Sequence, residues 1–184
     1  TFMAAVLANW GGYYGQRVYL MESRRLGLEI RPPHVNYACH EFSTSRIDGR
    51  PVLFMGLNQV RDLTRRTQAR IIRLRPFSSF MDLIARVDPR PQEVENLVRC
   101  GALQGMGSVP GLLQQIKSGG WRGGQLSLFS MEGTLDDWSV EQKAAAQEAI
   151  LGVSVIAHPL ELHAPQIAAS QAISTLEAAQ RVGQ

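Results

Sequence analysis

The sequence predicts a mainly α fold with a small β hairpin. Apolar residues recur at helical spacing through most of the chain, and glycine, proline and capping residues divide these segments into short helices. Only residues 41–55 change to a strand-like pattern, around the dipeptide Asp48-Gly49. The 184 residues, 45% hydrophobic and 19% charged, are enough for one or two small folded domains.

The composition excludes several classes of protein. No apolar run approaches the about 18 residues of a membrane span, and the N-terminus lacks the basic flank and cleavage pattern of a secretory signal. Two cysteines, Cys39 and Cys100, are too few for a disulfide scaffold, so we expect a cytoplasmic protein with no membrane partner. Because the chain opens on Thr1 within an apolar helical pattern, we expect it to be part of a longer protein.

Residues 1–30 predict two helices separated by residues 9–12. The second carries Tyr14, Val18 and Met21 at helical spacing and ends at Gly27, a residue type typical of the position after a helix. The run Arg31-Pro32-Pro33 excludes further helix. The Asp48-Gly49 dipeptide accepts the positive φ angles of a tight turn, so it predicts a hairpin of two strands.

Residues 80–116 predict three short helices and one glycine turn. The first helix ends at Asp88-Pro89-Arg90-Pro91, which also begins the second. After Gly105-Met106-Gly107, Ser108 is a typical N-cap for the third helix. The apolar residues that align on one face of these helices are Phe80, Leu83, Ile84, Val87, Val94, Leu97, Val98, Val109, Leu112, Leu113 and Ile116. The second and third helices therefore form a helix–glycine hairpin–helix unit.

Residues 57–72 predict a second and less regular unit of this kind, around Asp62-Leu63-Thr64. Asp62 and Thr64 stand where the later hairpin has glycines, and Arg65 and Arg66 follow. A threonine cap can leave amides free, but close backbone approach is harder without glycine. We therefore expect the arginines of this unit to contribute more to binding than its backbone.

The C-terminal third begins with a glycine-rich polar loop over residues 118–137. Ser139 and Gln142 have the spacing of a capping box, which predicts a helix to about Leu151. An extended stretch at residues 153–156 and an alanine-rich helix over residues 165–179 complete the chain.

The formal net charge of +3 conceals an uneven distribution. Residues 1–130 carry 17 basic and nine acidic residues, whereas residues 131–184 carry two basic and seven acidic ones. Arginine stays charged, and its planar fork suits phosphate. Six arginines fall between positions 61 and 75, opposed only by Asp62: Arg61, Arg65, Arg66, Arg70, Arg73 and Arg75. This run indicates a surface for a polyanion, although a solvated helix face fits the same pattern.

Gly105-Met106-Gly107 followed by Ser108 indicates a phosphate contact. Glycines permit positive φ angles and close approach of another chain, and the next helix presents free amides at residues 108–110. Amides at the positive end of a helix dipole suit a phosphate oxygen. We expect Met106 to point into the core. A plain tight turn remains the alternative interpretation.

Residues 125–129 form an amphipathic pentapeptide inside the polar loop. They are Gln125, Leu126, Ser127, Leu128 and Phe129. Exposed leucine and phenylalanine are unfavourable in water unless something covers them. They therefore either fold back as a short edge strand or anchor in a partner's pocket.

No catalytic set emerges from the sequence. His34, His40, His158 and His163 lack the spacing of metal ligands, and Asp136-Asp137 also fits the start of a helix. A P-loop and a serine nucleophile elbow are both missing. We expect no catalytic, metal or cofactor site within the chain, so that a His/Cys metalloenzyme is the least favoured class.

Four separated runs together resemble the α subunit of bacterial DNA polymerase III, the C-family replicative polymerase. They occur in that family's order and cover nearly the whole chain. The runs are Ala8-Asn9-Trp10 to Arg31-Pro32-Pro33-His34-Val35-Asn36, Gly56-Leu57-Asn58-Gln59-Val60, Glu95-Asn96-Leu97-Val98-Arg99-Cys100-Gly101-Ala102-Leu103, and Ile150-Leu151-Gly152-Val153-Ser154-Val155-Ile156-Ala157-His158-Pro159-Leu160.

The resemblance implies where duplex DNA and the sliding clamp bind. In the family a tandem helix-hairpin-helix domain binds duplex DNA behind the active site, and a peptide just after it docks into the sliding clamp (β subunit). Gln125, Leu126, Ser127, Leu128 and Phe129 are similar to that peptide at every position. The DNA contacts implied by the resemblance and the charge pattern are Gly105, Met106, Gly107, Ser108, Arg61, Thr64, Arg65 and Arg66.

The resemblance also implies an order of domains. Residues 1–55 would be the C-terminal part of the fingers, 56–118 the tandem helix-hairpin-helix domain, 119–137 the loop with the clamp peptide, and 138–184 a helix and connector toward an OB-fold. The aspartates that hold magnesium in the parent polymerase would lie upstream of Thr1, and other replisome subunits would be reached through the parent. A stand-alone helix-hairpin-helix repair or accessory protein is the alternative.

Overall fold

The computed structural model describes residues 2–9, 13–118, 135–170, 173 and 177–178. Its N-terminal part contains helices α1 (Phe2–Ala8) and α2 (Gln16–Arg25). Helix α2 ends as predicted, with Gly27 at φ +79°. The Gly27 N–H donates to the carbonyl of Arg24, and the Leu28 N–H donates to that of Ser23. This pair of hydrogen bonds is a Schellman motif, in which glycine avoids the steric cost of the left-handed conformation.

The predicted apolar face of α2 is only partly its buried face, because Met21 packs against the core whereas Tyr14 and Val18 are exposed. Tyr14 precedes the helix and is 62% exposed, and Val18 is 50% exposed. Leu20 and Ser23 are the residues that α2 buries. The hydroxyl of Ser23 donates to the carbonyl of Tyr19, so its burial leaves no polar group unpaired. Sequence spacing alone favoured the larger aromatic and branched residues, whereas packing against the sheet selected Leu20.

A three-stranded sheet replaces the simple predicted hairpin. Strands β2 (Ser43–Ile47) and β3 (Arg50–Phe54) pair antiparallel through Asp48 and Gly49, at φ +50° and +77°. These two positive angles confirm the tight turn. A further strand, β1 (Glu29–Arg31), pairs parallel with β3 and makes β3 central. With only three residues before two prolines, β1 is too short to stand out in the sequence.

Residues 57–117 form a succession of short helical segments. A 3₁₀ turn, Leu57–Gln59, is followed by α3 (Arg65–Leu74), α4 (Phe80–Val87), α5 (Pro91–Arg99) and α6 (Val109–Lys117). Helix α4 buries all four residues of its predicted apolar face. It begins at the cap Ser79 and ends at Asp88, which takes a left-handed conformation.

The C-terminal part contains α7 (Val140–Leu151), α8 (Pro159–Leu162) and α9 (Ala164–Ala169). The predicted capping box of α7 is present: Ser139 accepts from the Gln142 N–H, and Gln142 accepts from the Ser139 N–H. Within the described part of the chain, none of the helices is long and apolar enough to cross a membrane.

One hydrophobic core connects these elements. Buried residues from α1, α2, the sheet, α3 to α6 and α7 belong to the same cluster. The predicted boundary between the fingers and the helix-hairpin-helix domain lies at residue 55, and the packing of the core is continuous across it. The division into domains therefore stays a prediction. The mainly α fold with a small β element is confirmed. Its short helices bring two hairpins to the surface.

Candidate nucleic-acid interface

The second hairpin connects α5 to α6. Gly105 and Gly107 have φ angles of +87° and +152°, as the glycine pattern predicts. Between them, the Met106 N–H donates to the carbonyl of Leu103 over 3.0 Å, and the Met106 side chain packs against the core. Ser108 caps α6 by accepting from the Gly111 N–H. A hydrogen bond and the packing of Met106 therefore hold the turn on its inner side, whereas Gly105 and Gly107 are exposed to solvent.

The two glycines are required for different reasons. A Cβ atom at Gly107 would lie 3.1 Å from Leu112 Cδ2, so the close approach of hairpin and helix excludes a side chain there. A Cβ atom at Gly105 would meet nothing within 4 Å, so only its left-handed backbone favours glycine.

The first hairpin connects the 3₁₀ turn to α3 and begins with the same closing hydrogen bond, but its N-cap Thr64, at φ −67°, directly follows Leu63, whereas the second hairpin has Gly107 before its N-cap. Its Leu63 N–H donates to the carbonyl of Val60, which matches the bond from Met106 to Leu103. Asp62 stands at the position of Gly105 and has φ +59°. Aspartate tolerates the left-handed region better than most residues. The hairpin thus keeps its shape without glycine, but it adds an exposed negative charge.

Glu93 of α5 binds the first hairpin from within, a contact that sequence reasoning missed. It is 2% exposed. One carboxylate oxygen accepts from the Thr64 N–H and hydroxyl at 2.9 and 2.7 Å. The other accepts from the Thr67 hydroxyl and the Arg90 N–H at 2.9 and 2.7 Å. Position three after the start of α5 is typical of an acidic residue in a capping box, but it does not indicate the bond to Thr64.

These hydrogen bonds affect both Glu93 and the predicted role of Thr64. Burial raises the pKa of Glu93, but its hydrogen bonds from Thr64, Arg90 and Thr67 outweigh burial and hold that pKa below its ordinary value. Because the N–H and hydroxyl of Thr64 donate to Glu93, they are not directed at solvent. A DNA contact by Thr64 stays a prediction, and the arginines beside it carry the free donors of this hairpin.

The arginine run divides into exposed and structural members. Arg61, Arg65 and Arg66 are exposed, and Arg66 makes a loose ion pair of 3.9 Å with Asp88, which is weak in water. Arg70 and Arg75 instead donate to the backbone carbonyls of Arg86 and Ala38. The three predicted contacts are thus accessible, as is Arg73, whereas two other members of the run hold neighbouring loops.

A carboxylate from the following segment occupies the N-terminus of α6. Asp137 Oδ1 accepts from the Val109 N–H at 2.9 Å, and Asp137 Oδ2 lies 2.5 Å from Lys143 Nζ. Burial raises the pKa of Asp137, but hydrogen bonds from Lys143, Val109 and Trp138 outweigh burial and hold that pKa below its ordinary value. The sequence had suggested only that Asp136-Asp137 begins a helix.

A cleft of about 530 Å³ opens beside the second hairpin. Four basic side chains line it, together with Gly105, Gly107 and Asp137; they are Arg24, Arg31, Arg99 and Lys143. The guanidinium of Arg99 lies 5.8 Å from the ring centre of Trp138. Sequence reasoning missed this cluster because its members come from α2, β1, α5 and α7, far apart along the chain.

Other predicted sites fall outside these two hairpins. The pentapeptide Gln125, Leu126, Ser127, Leu128 and Phe129 lies outside the described residues. Among the residues that the structure describes, no group of three or more His, Cys, Asp or Glu side chains is placed to hold a metal ion.

Comparisons with known proteins agree with this geometry. A family model described as "Helix-hairpin-helix motif" matches residues 27–109, which include both hairpins. An error-prone DNA polymerase of Alkalilimnicola ehrlichii is 30% identical over 85% of this chain and 16% of its own. A DNA polymerase III subunit alpha of Saccharopolyspora erythraea is 28% identical over 87% of this chain and 16% of its own.

A DNA polymerase III subunit alpha of Campylobacter jejuni is 23% identical, over 96% of this chain and 17% of its own. The chain is thus similar to one segment of these bacterial DNA polymerases. The resemblance carried by the four sequence runs is thereby confirmed. The chain spans about a sixth of the length of these polymerase relatives. Both error-prone polymerases and DNA polymerase III α subunits are among them.

Proposed function

We propose that this chain is a DNA-binding segment of a bacterial DNA polymerase and holds duplex DNA through its phosphates. Contact is independent of sequence, because backbone amides and arginines recognise the phosphodiester and not base edges. The synthesis reaction and its magnesium ions belong to other segments of the parent enzyme, which acts in the cytoplasm with the remaining replisome subunits.

The second hairpin is the observation that carries this proposal. Its two glycines have positive φ angles and its backbone faces outward beside the capped start of α6. Amides in such a turn approach a phosphate oxygen closely, and the helix dipole favours the negative charge. Arg61, Arg65 and Arg66 of the first hairpin add exposed positive charge.

A charge-reversal experiment tests the proposal. We expect Arg65→Glu with Arg66→Glu to weaken binding to a duplex of random sequence by about tenfold or more, because each lost phosphate contact reduces counterion release. The slope of log affinity against log salt concentration should flatten by about two. Fluorescence anisotropy over a salt titration measures both quantities.

The matched control changes charge equally at a distant site. Arg46→Glu with Arg50→Glu alters two exposed residues of the β2–β3 hairpin. This control should lose less affinity than the double variant at Arg65 and Arg66. Equal losses would mean that only net charge matters, and unchanged binding in both variants would reject the arginine surface.

We further propose that residues 125–129 dock the parent enzyme onto the sliding clamp. Leu128 and Phe129 have the size and apolarity of pocket anchors, and Gln125 supplies a polar end. The loop pattern around them, rich in glycine and polar residues, leaves such a peptide available to a partner. The similarity of all five positions to the family's clamp peptide supports this assignment.

A binding titration against purified sliding clamp tests the docking peptide. We expect Leu128→Ala with Phe129→Ala to abolish binding, because truncating buried anchors typically costs about 2 kcal/mol or more each. The matched control, Leu26→Ala with Leu160→Ala, removes two exposed leucines elsewhere and should bind normally. A complex that survives loss of both anchors would show that the pentapeptide has a structural role.

A further inference from the structure

Asp137 lies where the proposed function requires a DNA phosphate. Its carboxylate accepts from the Val109 N–H, the first amide of α6, at 2.9 Å. The same oxygen accepts from the Trp138 N–H, and the other oxygen pairs with Lys143. An amide at a helix N-terminus and an ammonium group form the donor set that binds a phosphate oxygen. This end of α6 therefore already accepts an anion, and the anion belongs to the chain itself.

The contact of Asp137 with Val109 and Lys143 is exposed enough to solvent for the carboxylate to leave it. The Asp137 side chain is 41% exposed and the Lys143 side chain 28%. Glu93 at the first hairpin is the contrasting case, because it is 2% exposed and accepts from four donors at the starts of α3 and α5. An exposed ion pair is worth little in water, whereas removal of a buried charge from its partners is costly. Only the second hairpin can exchange its internal carboxylate for an external anion.

We propose that Asp137 is an intramolecular competitor of the DNA backbone at the second hairpin. In the free protein it occupies the N-terminus of α6; when duplex DNA binds, a phosphate takes the Val109 N–H and Lys143, and Asp137 moves to solvent. This inference rests on the proposed phosphate contact of the second hairpin. Asp137 lowers the apparent affinity for duplex DNA, because only those molecules in which Asp137 has left the site can bind a phosphate there.

The basic residues of the cleft beside the hairpin favour DNA binding once Asp137 has moved away. Arg24, Arg31 and Arg99 line it next to Gly105 and Gly107. Asp137 is the acidic member of that lining. Once the carboxylate has left, Lys143 faces a phosphate without its partner Asp137, which strengthens the attraction to DNA, while Arg31 and Arg99 keep their ion pairs with Glu29 and Glu95.

The test compares Asp137→Asn with Asp136→Asn in the 184-residue chain. Both variants remove one negative charge at adjacent positions, but only Asp137 contacts Val109 and Lys143. We expect Asp137→Asn to bind a random-sequence duplex about three- to tenfold more tightly than Asp136→Asn at equal salt. Equal affinity of the two variants would overturn the competition, because net charge would then account for the whole effect.

A second measurement on the unaltered chain does not depend on the stability of a variant. We expect the amide resonance of Val109 and the carboxylate resonance of Asp137 to shift together as duplex is added. A duplex that saturates the protein while both resonances stay in place would also overturn the proposal. If neither the unaltered chain nor Asp137→Asn binds duplex at low salt, the proposed DNA-binding function itself has failed, and the competition with it.

Discussion

Asp62 and Gly105 occupy equivalent turn positions in the two hairpins, with φ angles of +59° and +87°. Both precede a residue whose N–H closes the turn onto the carbonyl three positions earlier. Glycine meets no steric cost in this region, whereas a residue with a Cβ atom does. The first hairpin therefore keeps its fold at a small local cost, and its aspartate places a negative charge beside the exposed arginines.

Replacing Asp62 tests this cost. We expect Asp62→Gly to be as stable as the unaltered chain or up to about 1 kcal/mol more stable, because glycine relieves the left-handed strain. Asp62→Ala should be less stable than both, since alanine tolerates the left-handed conformation less well than aspartate or glycine. Chemical denaturation measures the free energies of unfolding. A glycine variant less stable than the alanine variant would contradict the assigned turn.

At the scale of elements, each hairpin is held by a carboxylate from another segment. Glu93 connects α5 to the start of α3, and Asp137 connects the segment before α7 to the start of α6. The first carboxylate is enclosed and supports the fold, whereas the second is accessible to solvent. The difference in burial decides which helix N-terminus is available to a ligand.

Glu93→Gln should destabilise the chain by about 2–3 kcal/mol, because a single amide oxygen replaces two carboxylate oxygens that accept from four donors. The pKa of Glu93 is lowered below its ordinary 4.5 in the folded state, so the unfolded state binds the proton more readily. Its stabilisation is therefore complete well above pH 4.5 and decreases as pH falls toward the folded-state pKa. Denaturation at several pH values should show the difference between the two proteins narrowing in acid.

The control for that experiment lies on the same helix. Glu95 pairs with Arg99 and is partly exposed, so Glu95→Gln should change the free energy of unfolding by about 1 kcal/mol or less. A difference between Glu93→Gln and the unaltered chain that is constant from pH 7 to pH 3 would contradict the lowered pKa.

At the scale of the whole molecule, one core joins the N-terminal helices, the sheet and the two hairpin units. The core extends from Ala4 to Val155, so the interface is part of one packed body and not a separate appendage. Cys100 lies in this core next to the second hairpin, whereas Cys39 is exposed. Burial raises the pKa of the Cys100 thiol to about 12.

The two thiols therefore report the integrity of the core. In the native chain we expect one thiol to react with a thiolate-selective reagent at pH 8, and both to react after denaturation, because a buried thiol of high pKa forms almost no thiolate. The variant Cys39→Ser should give no native reaction. Rapid native labelling of Cys100 in that variant would mean that the core beside the second hairpin opens readily.

Several features could be predicted from local sequence because local forces decide them. The caps at Ser108 and Ser139, the turn at Asp48-Gly49 and the apolar face of α4 depend on residues within one or two helical turns. The glycine hairpin and the family resemblance likewise follow from contiguous residues. Short-range hydrogen bonding and steric limits on φ are sufficient to determine such features.

The sequence by itself thus determined the mainly α fold, the hairpin turns and the relationship to DNA polymerase III α. Only the tertiary structure decided which arginines are accessible, that Glu93 closes the first hairpin, and that Asp137 occupies the second. The Glu93 and Asp137 contacts join residues separated by 29 and 28 positions. Local spacing cannot encode such pairs, because packing of the whole core brings their elements together.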